Sequence, residues 1–270
     1  MDPELDHARA LWSELAGVPV EFTTPTAVVT APGSRLCPPG WAGIVRIGDA
    51  AVVTAPDTRG AGALGAAVRK LAPAELVDPV RLGKALSGTG APVLDVLGPA
   101  TLSYVGRGAF VPALPEEAGT TVERAAPGDP ALTALLAGAG QGDADESGLD
   151  EITSPAFLLR EAAGARTAGE GVGAGAGAGE GAGAWAGGGA GEVVAAAGYV
   201  TWPRSVAHVC VLVAPHRRGR RLAGIVASAA VSHALDAGLL PQWRARPYPS
   251  RRVAAALGFR ELGAQLSVRI

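Results

Sequence analysis

The chain has 270 residues, a mass of 26.8 kDa and a net charge of −2, with 48% hydrophobic and only 4% aromatic residues. This length suits one large domain or two small ones, with a core built mostly from Ala, Val and Leu. The two cysteines, Cys37 and Cys210, exclude a disulfide framework and a cysteine metal cage, and the four histidines lack metal-ligand spacing. We therefore expect no bound metal.

The start of the chain and its most apolar run bear on where the protein works. Residues 1–4 are acidic and lack the basic segment that opens a signal peptide. The run from Leu222 to Leu235 has 14 residues and includes Ser and His, which makes it too short to span a bilayer. We expect a soluble, cytoplasmic protein with no membrane partner.

Residues 1–115 carry the less regular pattern. Apolar periodicity predicts helices and strands in this part, namely helices over 3–16, 64–71 and 79–86 and strands near 27–30, 43–53 and 92–105. We interpret it as a smaller α/β companion region, and the sequence does not predict its role.

A glycine pattern in this region invites a dinucleotide-binding interpretation. Gly60 to Gly65 (GAGALG) form G-x-G-x-x-G, and Glu75 or Asp78 is spaced to bind a ribose. A chain this rich in glycine is expected to match that pattern about once by chance. Pro56 to Arg59 also separate the pattern from the strand, where the fingerprint requires a tight turn. A nicotinamide-dependent oxidoreductase is therefore the lesser alternative.

Charge is unevenly distributed in the second half of the chain. Residues 116–151 hold nine acidic residues and one Arg, whereas residues 200–270 hold eleven Arg against Asp236 and Glu261. A basic wall beside an acidic one suits an anionic cofactor and a cationic substrate, although a solvated charge run is the commoner explanation of the acidic stretch. The Arg residues lack the interleaved aromatics or reading motif of a nucleic-acid binder, so we expect no nucleic-acid partner.

A segment of low complexity separates two predicted strands. Residues 168–191 include 12 Gly and 8 Ala. Such a segment buries too little apolar surface to offset the conformational entropy lost on ordering, so its composition predicts a flexible loop. Strand-like segments over 156–162 and 193–202 flank it. We interpret the loop as an expanded hairpin connection inside one domain, residues 116–270.

The remaining elements follow in a regular order. The near-continuous apolar run His208 to Val213 predicts a central strand. After it, the pattern predicts a helix over 222–237, a strand over 239–246, a short helix over 250–257 and a strand over 263–270. This order predicts an antiparallel meander followed by one right-handed crossover between two parallel strands.

The turn between that central strand and its helix predicts an anion site. Residues 215–221 contain Gly219 and four Arg and lead directly into the helix. A glycine turn at a helix N-terminus presents free N–H groups and partial positive charge. Arg side chains add charge-assisted hydrogen bonds, which favours a diphosphate as the ligand.

The residues of this turn resemble the cofactor loop of the GNAT superfamily of N-acetyltransferases. Val211 to Ala223 (VLVAPHRRGRRLA) is similar to the family's V-x-V-x-P-x-x-R-G-x-G-[IL]-[GA], and Leu257 to Phe259 resembles its late L-G-F. The resemblance covers about residues 155–270. Arg221 departs from it, because the family usually has its second Gly there.

The resemblance implies a GNAT-like α/β fold, with a mixed, mostly antiparallel sheet, a splayed parallel strand pair and flanking helices. It implies transfer of an acetyl group from acetyl-CoA, as co-substrate, to a primary amine of an unidentified acceptor by direct attack. The acetyl slot would lie between the central strand and the strand over 239–246, where Pro241 is expected to disrupt pairing. The implied cofactor-binding residues are Val211, Leu212, Val213, Arg217, Arg218, Gly219, Arg220, Arg221, Leu222 and Ala223. The oligomeric state is not predicted.

The resemblance is weakest for acid–base chemistry. The family's frequent Tyr acid falls on Ala254 and its frequent Glu on Ala207. His208 stands beside the missing Glu and is the candidate base, while Tyr248 and Ser250 are the candidate acids. The alternative is a non-catalytic GNAT-fold protein that binds CoA as a sensor or interaction module.

Overall fold

The computed structural model describes residues 2–114, 120–161 and 191–270. The predicted loop over 168–191 lies almost wholly outside these residues. The described helices are α1 (Pro3–Leu15), α2 (Thr58–Val68), α3 (Pro73–Leu76), α4 (Pro79–Leu86), α5 (Pro130–Ala139), α6 (Gln141–Ser147), α7 (Leu222–Asp236) and α8 (Tyr248–Ala256). The described strands are β1 (Ala27–Thr30), β2 (Ala42–Ile47), β3 (Ala50–Ala55), β4 (Asp95–Tyr104), β5 (Thr120–Ala125), β6 (Ala156–Glu161), β7 (Glu192–Trp202), β8 (Val206–Val213), β9 (Leu240–Ala245) and β10 (Arg260–Arg269).

All ten strands form one sheet in the order β1-β3-β2-β10-β4-β9-β8-β7-β6-β5. Most neighbours are antiparallel, and the parallel pairs are β1 with β3 and β8 with β9. The predicted fold class, a mixed and mostly antiparallel sheet with flanking helices, is therefore confirmed. Strand β4 lies between β9 and β10, so the two parts of the chain alternate within one sheet. The domain division at residue 115 stays a prediction.

Helix α1 joins the two parts of the chain. The side chain of Asp2 caps it by accepting a hydrogen bond from the N–H of Leu5, and Pro3 occupies its first turn. Its buried face includes Leu11 and Trp12, which pack in one cluster with residues of β2, β4 and β8. The indole of Trp12 donates to the hydroxyl of Tyr104 at 2.7 Å, and burial raises the pKa of that hydroxyl.

Two helical layers cover the C-terminal half of the sheet. Helix α7 packs on one face, where its Val226 and Ala230 contact β6 and β7. Helix α5 covers the opposite face, where Leu132 and Leu135 pack with Leu212 of β8. Side chains that alternate along β8 therefore reach two different layers.

The parallel pair β8 and β9 stays paired over only three residues of each strand. Val206, Ala207 and His208 oppose Leu240, Pro241 and Gln242. Past His208, β8 keeps its partner β7 while β9 continues beside β4, so the two strands part. The expectation that Pro241 disrupts the pairing is wrong, because Pro241 lies within the paired part and the separation begins after Gln242.

Several predicted boundaries differ from the structure. The predicted strand over 43–53 is the hairpin of β2 and β3, which turns at Gly48 with φ +64°. The helix predicted over 64–71 begins at Thr58, because Asp57 caps it. Strand β5 and helices α5 and α6 were not predicted. None of the described helices is long and apolar enough to cross a membrane.

Candidate active site

A cleft of about 1100 Å³ opens where β8 and β9 part. One end is formed by the turn before α7 and the first residues of that helix, and the sides come from β9 and the start of α8. Helix α6 and the segment Arg35 to Pro38 form the opposite wall. This volume is at the upper end of small-molecule sites, about 300–1,000 Å³, and leaves room for a large ligand together with a smaller one.

Strand β8 offers the cleft an edge without a strand partner. β8 faces β9 along one edge, and β9 pairs with it only as far as His208. Beyond His208, no strand among residues 2–114, 120–161 and 191–270 pairs with this edge. Val211, Leu212 and Val213 lie on this part of the strand and line the cleft. A backbone edge of this kind can bind a ligand's amide groups by hydrogen bonds, as an added strand does.

The turn after β8 has the backbone of a glycine-rich loop. Pro215–Arg217 form a single 3₁₀ turn, Gly219 has φ +82°, and Arg221 has φ +60°. Arg221 stands at the N-cap of α7, and no side chain caps that helix. Leu222 and Ala223 line the cleft directly after it. The position where the family usually has glycine is thus in the left-handed region that favours glycine.

The arginines of the turn are held by carboxylates from other elements. Glu161 of β6, which is only 5% exposed, pairs with Arg217 at 3.2 Å and with Arg220 at 2.9 Å. Arg218 donates to Asp143 of α6 at 2.6 Å. The pairs with the buried Glu161 hold the turn against β6, while Arg217, Arg218 and Arg221 line the cleft. Their part in cofactor binding stays a prediction.

His208, the candidate base, lines the cleft where the strands begin to part. Its Nδ1 lies 2.6 Å from Oε1 of Gln242, and its ring stacks on Trp202 with centroids 4.4 Å apart. With the amide in this orientation, Nδ1 carries the proton and Nε2 is the free acceptor. Burial, together with the nearby charge of Arg244, lowers the pKa of His208 to about 4. The imidazole is therefore neutral at pH 7.

The two candidate acids are placed differently. Tyr248 opens α8 with 68% of its surface exposed, and it is not among the residues that line the cleft. Ser250 lines the cleft and accepts a hydrogen bond from the indole of Trp243 at 3.0 Å. The indole orients the Ser250 oxygen, so the hydroxyl proton can be donated to a ligand. Ala254, at the position of the family's Tyr, is buried.

The structure adds residues to the cleft that the sequence analysis did not assign to a site. Asp143, Asp145 and Glu146 of α6 form part of its rim, so the acidic stretch faces the cleft. Arg244 of β9 reaches the same space as His208. Trp243 and Arg244 are successive residues of β9 and lie on opposite faces of the strand, and no local sequence signal placed α6 beside them.

The dinucleotide interpretation of Gly60 to Gly65 is wrong. These residues lie inside α2 and not in a loop, and the carboxylate of Asp57 already accepts from the N–H of Gly60 at 2.7 Å. The position of a bound phosphate is therefore taken by a side chain of the protein.

A repeated pattern explains why this segment looked like a phosphate loop. Each of β3 and β8 ends in the sequence A-P-x-x-R-G-x-x-x-x-G and is followed by a helix. The matching residues are Ala55, Pro56, Arg59, Gly60 and Gly65 in the first copy and Ala214, Pro215, Arg218, Gly219 and Gly224 in the second. Each strand also has an antiparallel hairpin partner on one side and a parallel strand on the other.

Comparison with known proteins identifies the C-terminal part. Residues 176–264 match the family model of GNAT acetyltransferases. This match confirms the resemblance to the GNAT superfamily for this part of the chain, and it supports acyl transfer as the general chemistry. No curated protein matches the chain.

Solved structures with low sequence identity are also similar to the chain. One is a GCN5-related N-acetyltransferase from Kribbella flavida, at 19% identity over 69% of this chain and 62% of that one, with a TM-score of 0.44. A putative GNAT-family acetyltransferase from Novosphingobium aromaticivorans matches at 18% identity over 66% of each chain, with a TM-score of 0.39. A tandem GNAT protein from the clavulanic acid biosynthesis pathway matches at 15% identity over 70% of this chain and 57% of that one, with a TM-score of 0.42. The chain spans less than two thirds of the length of each of these proteins.

Proposed function

We propose that the protein is an acetyl-CoA-dependent N-acetyltransferase that acts on a primary amine, and that its catalytic part is residues 116–270. The observation that carries this proposal is the cleft where β8 and β9 part, which ends on the uncapped N-terminus of α7. One continuous space thus joins a backbone edge, an anion site and a neutral histidine. The proposal includes the cytoplasmic location expected from the sequence.

The turn before α7 supplies the diphosphate site. The N–H groups at the start of α7 carry partial positive charge and have no side-chain cap. Arg218 and Arg221 add charge at the mouth of the cleft, and the pairs of Glu161 with Arg217 and Arg220 keep the turn in place. The pantetheine arm would then run along the open edge of β8, past Val213 and Val211.

The chemical step is a direct attack of the acceptor nitrogen on the thioester carbonyl. The N–C bond forms, the C–S bond breaks, and backbone N–H near Val211 or Leu212 stabilises the developing oxyanion. His208, neutral at pH 7, accepts a hydrogen bond from a water molecule that carries the proton of the attacking nitrogen to solvent. Ser250 donates a hydrogen bond to the leaving thiolate, which takes its proton from solvent in the open cleft.

A second candidate is favoured by a specific observation. Ala254 replaces the family's frequent Tyr acid, and Tyr248 faces solvent away from the cleft lining. A chain with these residues can bind CoA and lack turnover. The second candidate is therefore a non-catalytic CoA-binding sensor or interaction module.

Two measurements on the full chain test the proposal. Calorimetric titration with acetyl-CoA and with CoA is expected to show binding in the micromolar range, about −8 kcal/mol, that Arg218→Glu weakens. Thiol release is then followed with a panel of primary amines. Binding with turnover supports the transferase, and binding without turnover of any amine supports the sensor. Absence of binding to the intact protein would overturn both.

A further inference from the structure

Arg244 is a cationic side chain in the cleft that has no acidic partner among residues 2–114, 120–161 and 191–270. Among the described residues of the cleft lining, Arg217, Arg218 and Arg246 are each paired with a carboxylate, whereas the exposed Arg35 and Arg252 are not. No carboxylate of the residues that the structure describes lies within 4.0 Å of the Arg244 guanidinium. Glu146 lies near enough to act on its charge, but Arg246 holds that carboxylate.

The guanidinium of Arg244 is positioned by one weak contact. Its Nη1 donates to Oε1 of Gln265 at 3.4 Å. The amide of Gln265 is in turn fixed, because its Nε2 donates to the carbonyl of Leu36 at 2.6 Å and its side chain is buried. Arginine has five N–H donors in a planar fork that matches a carboxylate. Most of these donors therefore remain available to a ligand.

Arg244 lies close to the place where acetyl transfer would occur. It is two residues beyond Gln242 on the same face of β9, and Gln242 is the last residue of β9 that opposes β8. Its charge acts on both His208 and Cys210 of β8. An acceptor amine beside His208 would thus place any anionic group a few bonds away within reach of Arg244.

We propose that Arg244 binds a carboxylate of the acceptor, so that the substrate class is an amine that carries a carboxylate a few bonds from its nitrogen, as in an amino acid. The inference rests on the proposed function and names the acceptor class of the same site. The acidic rim of α6 would attract the ammonium end of such a zwitterion. Asp145 of that rim has no ion-pair partner among residues 2–114, 120–161 and 191–270.

The test compares amino acids with their own carboxamides as acceptors. These pairs keep the side chain and remove the negative charge; because the carboxamide also lowers the pKa of the neighbouring amine, the preference is compared between the intact protein and its variants at one pH. We expect kcat/KM of the intact protein to be about 100-fold higher for the carboxylate than for the carboxamide. This ratio corresponds to one charge-assisted pair, because each factor of ten equals about 1.4 kcal/mol. Arg244→Gln is expected to abolish the preference by raising KM for the carboxylate alone. Arg252→Gln removes an exposed arginine of α8 that lines the same cleft; it is the matched control and should keep the preference.

The outcomes separate this inference from the proposed function. Amines acetylated without a preference for the carboxylate, or a preference that Arg244→Gln leaves intact, would overturn the role of Arg244 while the transferase stands. Acetyl-CoA binding without turnover of any acceptor would overturn both. Calorimetry with acetyl-CoA on Arg244→Gln checks that the variant is folded, because its cofactor site should be unchanged.

Discussion

The two strand–turn–helix units of this protein share a sequence pattern and adopt different local structures. In the first, α2 begins at Thr58, directly after Asp57, so the residues of the pattern lie in the helix. In the second, His216 replaces Asp57, and the chain runs on through a 3₁₀ turn until α7 begins at Leu222. The carboxylate of Asp57 therefore caps the helix of the first unit, whereas the helix of the second unit has no side-chain cap and follows a turn that lines the cleft.

The sequence pattern alone does not make an anion site. What matters is whether the N–H groups of the helix are already satisfied by the chain. The carboxylate of Asp57 accepts a hydrogen bond from an N–H group at the start of α2. At the start of α7 no side chain caps the helix, so its N–H groups can bind an external anion. We therefore propose the second unit alone as the cofactor site.

The largest expected effect comes from placing an acidic residue at matched positions of the two units. Arg221→Asp adds a carboxylate at the N-cap of α7 and should weaken acetyl-CoA binding by about 1000-fold, about 4 kcal/mol. Gly62→Asp, the matched change in α2, lies in open space on an exposed helix position and should leave the affinity unchanged. Calorimetric Kd values of the two variants for acetyl-CoA show which unit binds the cofactor. Equal losses in both would break the assignment of the site to one unit.

The pH dependence of stability should distinguish the units as well. Burial lowers the pKa of His208 to about 4 in the folded state, against about 6.5 in the unfolded chain. Below pH 6.5 the unfolded chain binds the proton first, so stability is lost as pH falls from about 6.5 to 4.

The change that isolates this effect is His208→Gln. Urea unfolding at pH 7 and pH 4 should show that the variant loses about 3 kcal/mol less than the wild type between these two values. His216→Gln, which removes an exposed histidine of the same unit, is measured in parallel as the control for the loss of a histidine. An unchanged pH dependence in His208→Gln would show that this imidazole is not desolvated in the fold.

A smaller effect is expected from removing the cap of the first unit. Asp57→Ala leaves the N–H of Gly60 without its side-chain partner and should lower the free energy of unfolding by about 1 kcal/mol. His216→Ala, at the matched position of the second unit, should change it by less than about 0.5 kcal/mol. Urea denaturation measures both. If the two variants lost equal stability, capping would not be the difference between the units.

The smallest effect concerns the residue at the glycine position. Arg221 holds φ +60°, which costs a side-chain-bearing residue about 1–2 kcal/mol, so Arg221→Gly should raise the free energy of unfolding by about 0.5–1 kcal/mol after the entropy of glycine is subtracted. The reciprocal change Gly62→Arg should stabilise α2 by about 0.5–1 kcal/mol, because glycine is unfavourable inside a helix. Thermal and urea unfolding of both variants test this exchange. Destabilisation by Arg221→Gly would mean that interactions of the Arg side chain outweigh the backbone cost.

The sequence predicted the C-terminal elements closely, because β8, α7 and β9 carry strong apolar patterns and clear turn residues. It missed the early start of α2, since Gly60 to Gly65 disfavour a helix locally and the cap of Asp57 outweighs them. The placement of β4 between β9 and β10 depends on pairing between distant segments, which periodicity does not report. For the same reason the sequence indicated the loop of the site but not the partners of its arginines, Glu161 and Asp143.

We propose that acetyl-CoA binds at the start of α7 and not at the start of α2. Hydrogen–deuterium exchange with and without acetyl-CoA, read at the amides of both units in one experiment, tests it most directly. We predict slower exchange over residues 211–223 and no change over residues 52–64. Protection of the amides of α2, or none at the start of α7 in the presence of saturating acetyl-CoA, would contradict the account.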